Sequence, residues 1–400
     1  MLKNNLKLFL VLLLIAPFQT FAQYGRHEIV NSLNEVIRPI ESLRADTSFA
    51  DINFLKETLK EKELIALGEV THGSAEIFDY KDRLVRFLVT NLGYKSIAFE
   101  SDFIAIEQID NYITGKTDSI MHLPGTALAG SNHRMIKWLR NYNSELKDPE
   151  KVHIYGMELR NYHNIFKKLL AVIPRLENAD KELMEEYLKK PFTGKISKAE
   201  IQGVRSMITK LQNTQLSDIN QQYLEMLNQT ISYQDKSSIR DRYMAKNVTW
   251  IKDRAKAKKI IIWAHNGHVA KASPHNYTNL GTHLVEQYSG KYYVMGTDFN
   301  SGTANVNVIA GKNKPLLGFQ PYYYNGAKSE QWYEYYFNQC EYKNFILDVT
   351  LASRNPILDR FLTDPLTMKM IGALSSPEGT RLSISKNFDL LIYIDTTNSI

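Results

Sequence analysis

The sequence predicts an α/β fold, a mostly parallel central sheet flanked by helices, with an inserted, largely helical subdomain. Three observations carry this expectation. Short unbroken apolar runs recur along the chain, helical patterns separate the first of them, and residues 176–257 contain no strand pattern.

The runs are ELIALGE (63–69), KSIAFES (95–101), VHIYGME (152–158), KKIIIWAHNGH (258–268), YYVMGTD (292–298), NFILDVT (344–350) and DLLIYID (389–395). They do not alternate apolar with polar residues, so they suit strands covered on both faces. Between the first two, residues 74–92 put Ile77, Leu84 and Leu88 on one helical face and stop at Gly93, a C-terminal cap signal. Residues 133–147 and 160–174 read the same way. Strand, helix and strand alternate from 63 to 174, which is the order of a parallel sheet. Amphipathic segments fill 176–257 and end in IRDRYMAKNVTWIKDRAKA, so a helical insertion is expected to split the core into 23–175 and 258–400. Residues 301–342, rich in Gly, Asn and Tyr, are expected to be loops with a few strands over a pocket.

Residues 1–22 stand apart. Lys3 and Lys7 precede the apolar run LFLVLLLIAPF, and Thr20 and Ala22 supply small residues, the pattern of a signal peptide cut after Ala22. The run is well short of the ~20 residues a spanning helix needs. No cysteine follows the cut to accept a lipid, so a periplasmic or secreted protein without a stable membrane anchor is expected. Composition is that of a globular chain, with 44% hydrophobic and 23% charged residues. The net charge of +6 comes from Lys and Arg interspersed with Glu and Asp, which gives nucleic-acid binding no support. A single cysteine, Cys340, excludes an intramolecular disulfide.

What separates this chain from a generic α/β domain is where its ionisable residues fall. Glu69, Glu100, Glu158, His265 and Asp298 each close an apolar run, and ligands of open α/β sheets bind beyond the carboxyl ends of the strands. Taken alone, Glu158 and Asp298 also suit helix caps or salt-bridge partners. His72 lies at the turn into the first helix, beside Gly73, where a carboxylate from Glu69 or Glu100 would fix one imidazole tautomer and raise its basicity. In HNGH, one of His265 and His268 is placed to stabilise an oxyanion and the other to orient it or the leaving group. Lys81 falls between Ile77 and Leu84 on an apolar helix face, and Arg240 shares a face with Met244, Val248 and Ile251. If buried, each needs a carboxylate partner, whether to neutralise the glutamates or to hold a substrate anion; otherwise each snorkels to solvent.

Catalytic roles are thus expected for His72, Glu69, Glu100 and His265, and substrate contacts for His268, Lys81, Arg240 and Glu158. There is no G-x-S-x-G elbow, Walker loop or G-x-G-x-x-G turn, and Cys340 lacks any cue for activation. No cofactor is implied. A divalent metal is the open alternative, since Glu69, His72, Glu100, His265 and His268 are all possible ligands.

With LGEVTHGSAE (67–76), IAFES (97–101), WLRNYN (138–143), IRDRYMAKNVTW (239–250) and WAHNGHV (263–269) in this order, the chain resembles the erythromycin esterase family. The resemblance implies hydrolysis of an ester, in the best-known members the lactone of 14-membered macrolides. It also implies that His72 activates water without a covalent acyl-enzyme, with Glu69 and Glu100 around it and His265 assisting. Two departures are visible. Lys81 stands where macrolide-hydrolysing members carry arginine, a change that keeps charge but loses the planar fork. LPGTALAGSNHRMIK (123–137) lacks the tryptophans and glutamate expected there. An exported hydrolase of a small-molecule ester or lactone is expected, with macrolides the leading class. The competing expectations are a metal-dependent hydrolase of another substrate using the same residues, and a non-catalytic periplasmic binding protein.

Overall fold

A computed structural model describes residues 25–119, 132–158, 161–173, 176–190, 197–256, 258–274, 277–311, 314–375 and 379–400. The expected leader and part of the 123–137 stretch lie outside these residues.

Eleven strands are present among the described residues: Arg38–Pro39 (β1), Leu64–Glu69 (β2), Ser96–Asp102 (β3), His153–Glu158 (β4), Ile260–His265 (β5), Tyr292–Ile309 (β6), Leu316–Tyr324 (β7), Asn344–Asp348 (β8), Leu366–Met368 (β9), Thr380–Leu382 (β10) and Leu390–Thr397 (β11). β9 and β10 pair with each other, and the rest form a mixed sheet in the order β1-β8-β11-β6-β2-β5-β3-β4, with β7 added to β6. The block from β11 to β4 is parallel, whereas β1, β7 and β8 pair antiparallel. Successive residues of β2 feed opposite faces: Leu64 and Ala66 join one core, Ile65 and Leu67 the other. Both faces are therefore dry, which is why the runs are continuous in hydrophobicity.

The helix Ala75–Leu92 starts from Ser74, whose hydroxyl accepts from Ile77 N, and ends at Gly93 in the left-handed region (φ 69°). Gly73 is glycine for closeness, not for an unusual backbone angle: a Cβ there would lie 2.1 Å from Asn305 O. Between residues 176 and 257 the described elements are helical, including Asn178–Lys189, Lys198–Gln212, Asp218–Asp235 and Arg240–Arg254. The last buries Met244, Val248 and Ile251 in the same core as β5, which brings its first residue to the edge of the sheet. No helix of the described residues is long and apolar enough to cross a membrane.

β6 differs from expectation. It runs on past Asp298 to Ile309 and pairs with β7 over much of a region expected to be mainly loops. The second half of β6 alternates, with Ala304 and Val306 buried between more exposed neighbours, as a half-covered strand does. Gly302 (φ 127°) obscures this pattern in the sequence; a Cβ on it would strike Thr397 O at 2.0 Å.

Candidate active site

Strand order sets the cluster. β2, β5, β3 and β4 are neighbours, so Glu69, His265, Glu100 and Glu158 line up along one carboxyl edge. Glu69 and His265 are register partners, and the β3–β4 register shifts between Phe99 and Asp102, an irregularity that spans Glu100.

His72 is oriented by Glu69. Its Nδ1–H donates to Glu69 Oε1 at 3.1 Å, which leaves Nε2 with no hydrogen-bond partner among the described residues; the side chain is 25% exposed. Burial pushes the imidazole pKa down, but the Glu69 hydrogen bond and the Glu100 and Glu69 charges outweigh it, and the net direction is up. The other oxygen of Glu69 pairs with the ammonium of Lys81, a residue with no exposed surface. Lys81 Nζ also lies 3.9 Å from the centroid of the Trp263 ring. Burial lowers the Lys81 pKa to about 8 against the pull of Glu69. Burial likewise pushes the Glu69 carboxyl up, yet Lys81 and His72 bring it below its ordinary value. Lys81 thus sits behind Glu69, as its buried partner.

A second group adjoins the first. Arg240 donates through Nε to Glu158 Oε2 at 2.8 Å and through Nη2 to Glu100 Oε1 at 2.8 Å. His268 bridges Asp241 Oδ2 on Nδ1 (2.7 Å) and Glu100 Oε1 on Nε2 (3.2 Å). Burial lowers the His268 pKa, but the two carboxylates raise it further, to about 9. The ring is therefore an imidazolium at neutral pH, and its 2.9 Å approach to Arg240 Nη1 is a contact of two donors sharing Glu100. Burial would lift the Glu100 carboxyl, but the charge and hydrogen bond of His268, then Arg240, hold it well below the usual range.

His265 joins the two groups. Its ring centroid is 5.7 Å from that of His72 and 6.3 Å from that of His268. Nε2–H donates to Val70 O at 3.2 Å and Nδ1 accepts from Gly267 N at 3.1 Å, while its backbone N–H donates to Glu100 Oε2 at 3.0 Å. Both ring nitrogens are occupied by backbone groups, so His265 ties the β2 and β5 turns together and has no nitrogen free for a reacting group. Burial drives its pKa to about 3.

Among the described residues, no three His, Cys, Asp or Glu side chains converge to hold a metal ion. Glu69, His72, Glu100, His265 and His268 direct their donor atoms largely at one another, at Lys81 and Arg240, and at backbone. Cys340 is buried, and burial pushes its thiol up to about 12. Asp298 reaches the sheet edge but turns to another cluster, with Glu334 and Lys369.

A family model for erythromycin esterase matches residues 89–397. The chain belongs to the erythromycin esterase family. It is similar to the YbfO protein of Bacillus subtilis (strain 168), 25% identical over 76% of this chain and 79% of that one. It is also similar to erythromycin esterase type II of Escherichia coli, 24% identical over 58% and 67%. Among solved structures, a Bacillus cereus protein superposes with a TM-score of 0.79 at 23% identity, covering 94% of this chain and 98% of its own. A mutant of the erythromycin esterase EreC in its open conformation gives 0.67 at 18% identity, covering 90% and 98%. This chain is thus an erythromycin esterase-family hydrolase with the fold of that family.

Two members of the cluster were not singled out in the sequence. Asp241 holds His268 and also accepts from Leu280 N at 3.0 Å. Its signal was present: Asp241 precedes Met244, Ala245 and Val248 by three, four and seven residues, so it lies on the buried face. Gly372 comes from a distant segment; its carbonyl accepts from His72 N at 3.4 Å and from Thr71 Oγ1 at 3.2 Å.

The opposite pKa shifts of His265 and His268 set a stability profile. The folded-state pKa of His268 is raised from 6.5 to about 9, so its contribution is complete below pH 6.5 and is lost as pH rises through 9. That of His265 is lowered from 6.5 to about 3, so its contribution is present above pH 6.5 and is lost as pH falls through 3. Denaturant midpoints are expected to be highest near pH 6.5, to fall on the acid side and to fall on the alkaline side up to about pH 8, above which the lowered Lys81 pKa works the other way. His268→Gln should reduce the fall between pH 6.5 and 8, leaving the part that comes from the raised His72 pKa, and a parent profile flat over that range would contradict the assignment.

Proposed function

We propose that this family hydrolase is an exported esterase that cleaves an ester or lactone with water activated by His72, and that macrolide lactones are its leading substrate class. The observation that carries the reading is the state of His72: Glu69 holds Nδ1, Nε2 has no partner among the described residues, and the side chain remains partly exposed. Nε2 takes a proton from water as its oxygen bonds to the carbonyl carbon. The resulting oxyanion is offset by the positive charge of His268 and Arg240, acting through space because their N–H groups stay on Asp241, Glu100 and Glu158. Collapse breaks the bond to the ester oxygen, and the His72 proton passes to the departing alkoxide, giving an acid and an alcohol. Lys81 acts through Glu69, Arg240 and Asp241 act through Glu100 and His268, and Glu158 anchors Arg240. The macrolide assignment is supported by the family and the resemblance of motifs, and export by the N-terminal pattern alone.

Purified protein incubated in EDTA with 14- and 16-membered macrolides tests this directly. A mass gain of one water on the antibiotic is expected without added metal, because the glutamate oxygens are already engaged by cations or N–H groups. Activity lost in EDTA and restored by one divalent ion would overturn the metal-free step. No gain on any macrolide, with simple esters still cleaved, would remove macrolides only. The intact mass of the protein from its producing cell should correspond to a chain starting at Gln23, and a retained leader contradicts export.

A further inference from the structure

The large apolar side chains that stand exposed among the described residues gather at one place, the β6–β7 hairpin. Ile309, Leu316, Leu317, Phe319 and Tyr323 belong to its strands. Leu374 is bridged to Asn307, and the next residue, Ser375, accepts through Oγ from Ile309 N at 2.8 Å. Ile400, the last of them, has its main-chain oxygen on Asn305 Nδ2. Register puts Phe319, Pro321 and Tyr323 opposite Asn307, Asn305 and Thr303, so the three share one face of β7, while Ala304 and Val306 are buried on the other. Contiguous apolar surface of this kind marks contact with another molecule or with a membrane.

A further strand is a poor fit. Among the described residues β7 pairs only with β6, which leaves one edge free. On that edge Pro321 has no N–H to donate, and Gly318, at φ 96°, accompanies a shift of register opposite Asn307 and Ile309. A second copy of the chain fits little better, because these few side chains fall short of the ~20–30 residues that each side of a stable protein interface supplies.

Charge favours lipid. The stretch between Asp298 and Glu330 contains Lys312, Lys314 and Lys328 and no acidic residue, in a chain where acids and bases otherwise intersperse. Lys314 precedes β7, Lys328 follows it, and both are exposed. An anionic bilayer meets this composition: apolar groups enter the boundary between headgroups and acyl chains, ammonium groups meet the lipid phosphates, and tyrosine suits the level between them. The free edge of β7 sets the depth, since its unpaired backbone groups cannot leave water.

We propose that the β6–β7 hairpin docks the protein reversibly on an anionic lipid surface, at headgroup depth and without spanning it. The proposal stands apart from the esterase reading. Docking would nevertheless carry the His72 turn with it, because Asn305 N donates to Gly73 O at 3.0 Å.

The test is sedimentation of the chain from Gln23 onward, which lacks the apolar leader, with vesicles of phosphatidylcholine and phosphatidylglycerol in equal parts and with vesicles of phosphatidylcholine alone. Binding to the mixed vesicles is expected, and it should be about tenfold weaker or more on phosphatidylcholine alone and in high salt. Leu317→Ser/Phe319→Ser should weaken it by about tenfold or more, and Lys314→Glu by about fivefold or more. These side chains are exposed, so the urea midpoints of both variants should match that of the parent. Equal sedimentation with both vesicle types, sedimentation with neither, or binding that survives Leu317→Ser/Phe319→Ser overturns the proposal. So does a concentration-dependent dimer that binds no vesicle and that the same double variant dissolves, which would make the hairpin a contact between copies.

Discussion

His72→Ala is expected to lower kcat for ester hydrolysis by about 10²- to 10⁴-fold, the usual contribution of a positioned general base. KM should change little, because the proton is transferred only in the transition state. Stability should also change little. The side chain is 25% exposed, and its loss leaves Glu69 still paired with Lys81. That separation distinguishes a base from a prop: a merely structural histidine would lose stability first and rate as a consequence. A variant that folds normally with kcat within about threefold of the parent would remove His72 as the base. Glu69→Gln should behave differently, because it takes the countercharge from Lys81, which has no exposed surface, and so lowers stability and rate together.

Arg240→Met is expected to cost about 3–5 kcal/mol of folding stability, the usual consequence of removing one partner of a buried ion pair. Arg240 serves both Glu100 and Glu158, whose side chains are 10% and 6% exposed. Without it, Glu158 keeps a buried carboxylate without its arginine, and Glu100 has only His268 and the His265 N–H. The double variant Arg240→Met/Glu158→Gln should recover part of the loss, because it also removes the stranded charge. Arg240→Lys should recover less than the parent arrangement, since a single ammonium cannot span both acids as the guanidinium fork does. Urea midpoints for the four proteins decide the matter; a midpoint for Arg240→Met equal to that of the parent would show that the pairing carries no net stability.

Much of this arrangement was legible because burial and charge conflict in the sequence itself. The doubly covered strands announce themselves as continuous runs, and Lys81 and Arg240 fall where helical period puts apolar residues. A cation on such a face requires an acid, and the strand-end glutamates were the available ones. The pairing of Glu69 with His72, rather than Glu100 with His72, was not legible, since it depends on which strands are neighbours. Nor was Gly372, which reaches the site from about 300 residues away in sequence, through backbone atoms that carry no residue-type signal. Glu76 lies in the first turn of the helix Ala75–Leu92 and has a second set of partners. A carboxylate in a first helical turn reads as a favourable dipole partner, yet it accepts from Asn398 N at 2.7 Å, Asn398 Nδ2 at 2.8 Å and Thr397 Oγ1 at 2.9 Å.

Those last contacts tie the turn that carries His72 to residues made far later in the chain. Gly73, next to His72, is gripped by Asn305 N at 3.0 Å and Ile400 N at 3.3 Å, and Glu76 meets its partners across 321 and 322 residues of chain. His72 and Glu69 emerge early from the ribosome, but the turn that holds them is clamped only when residues 397–400 arrive. Contacts of such separation close slowly. A chain cut short of residues 397–400 therefore holds Glu69 and His72 without the contacts that fix the turn between them.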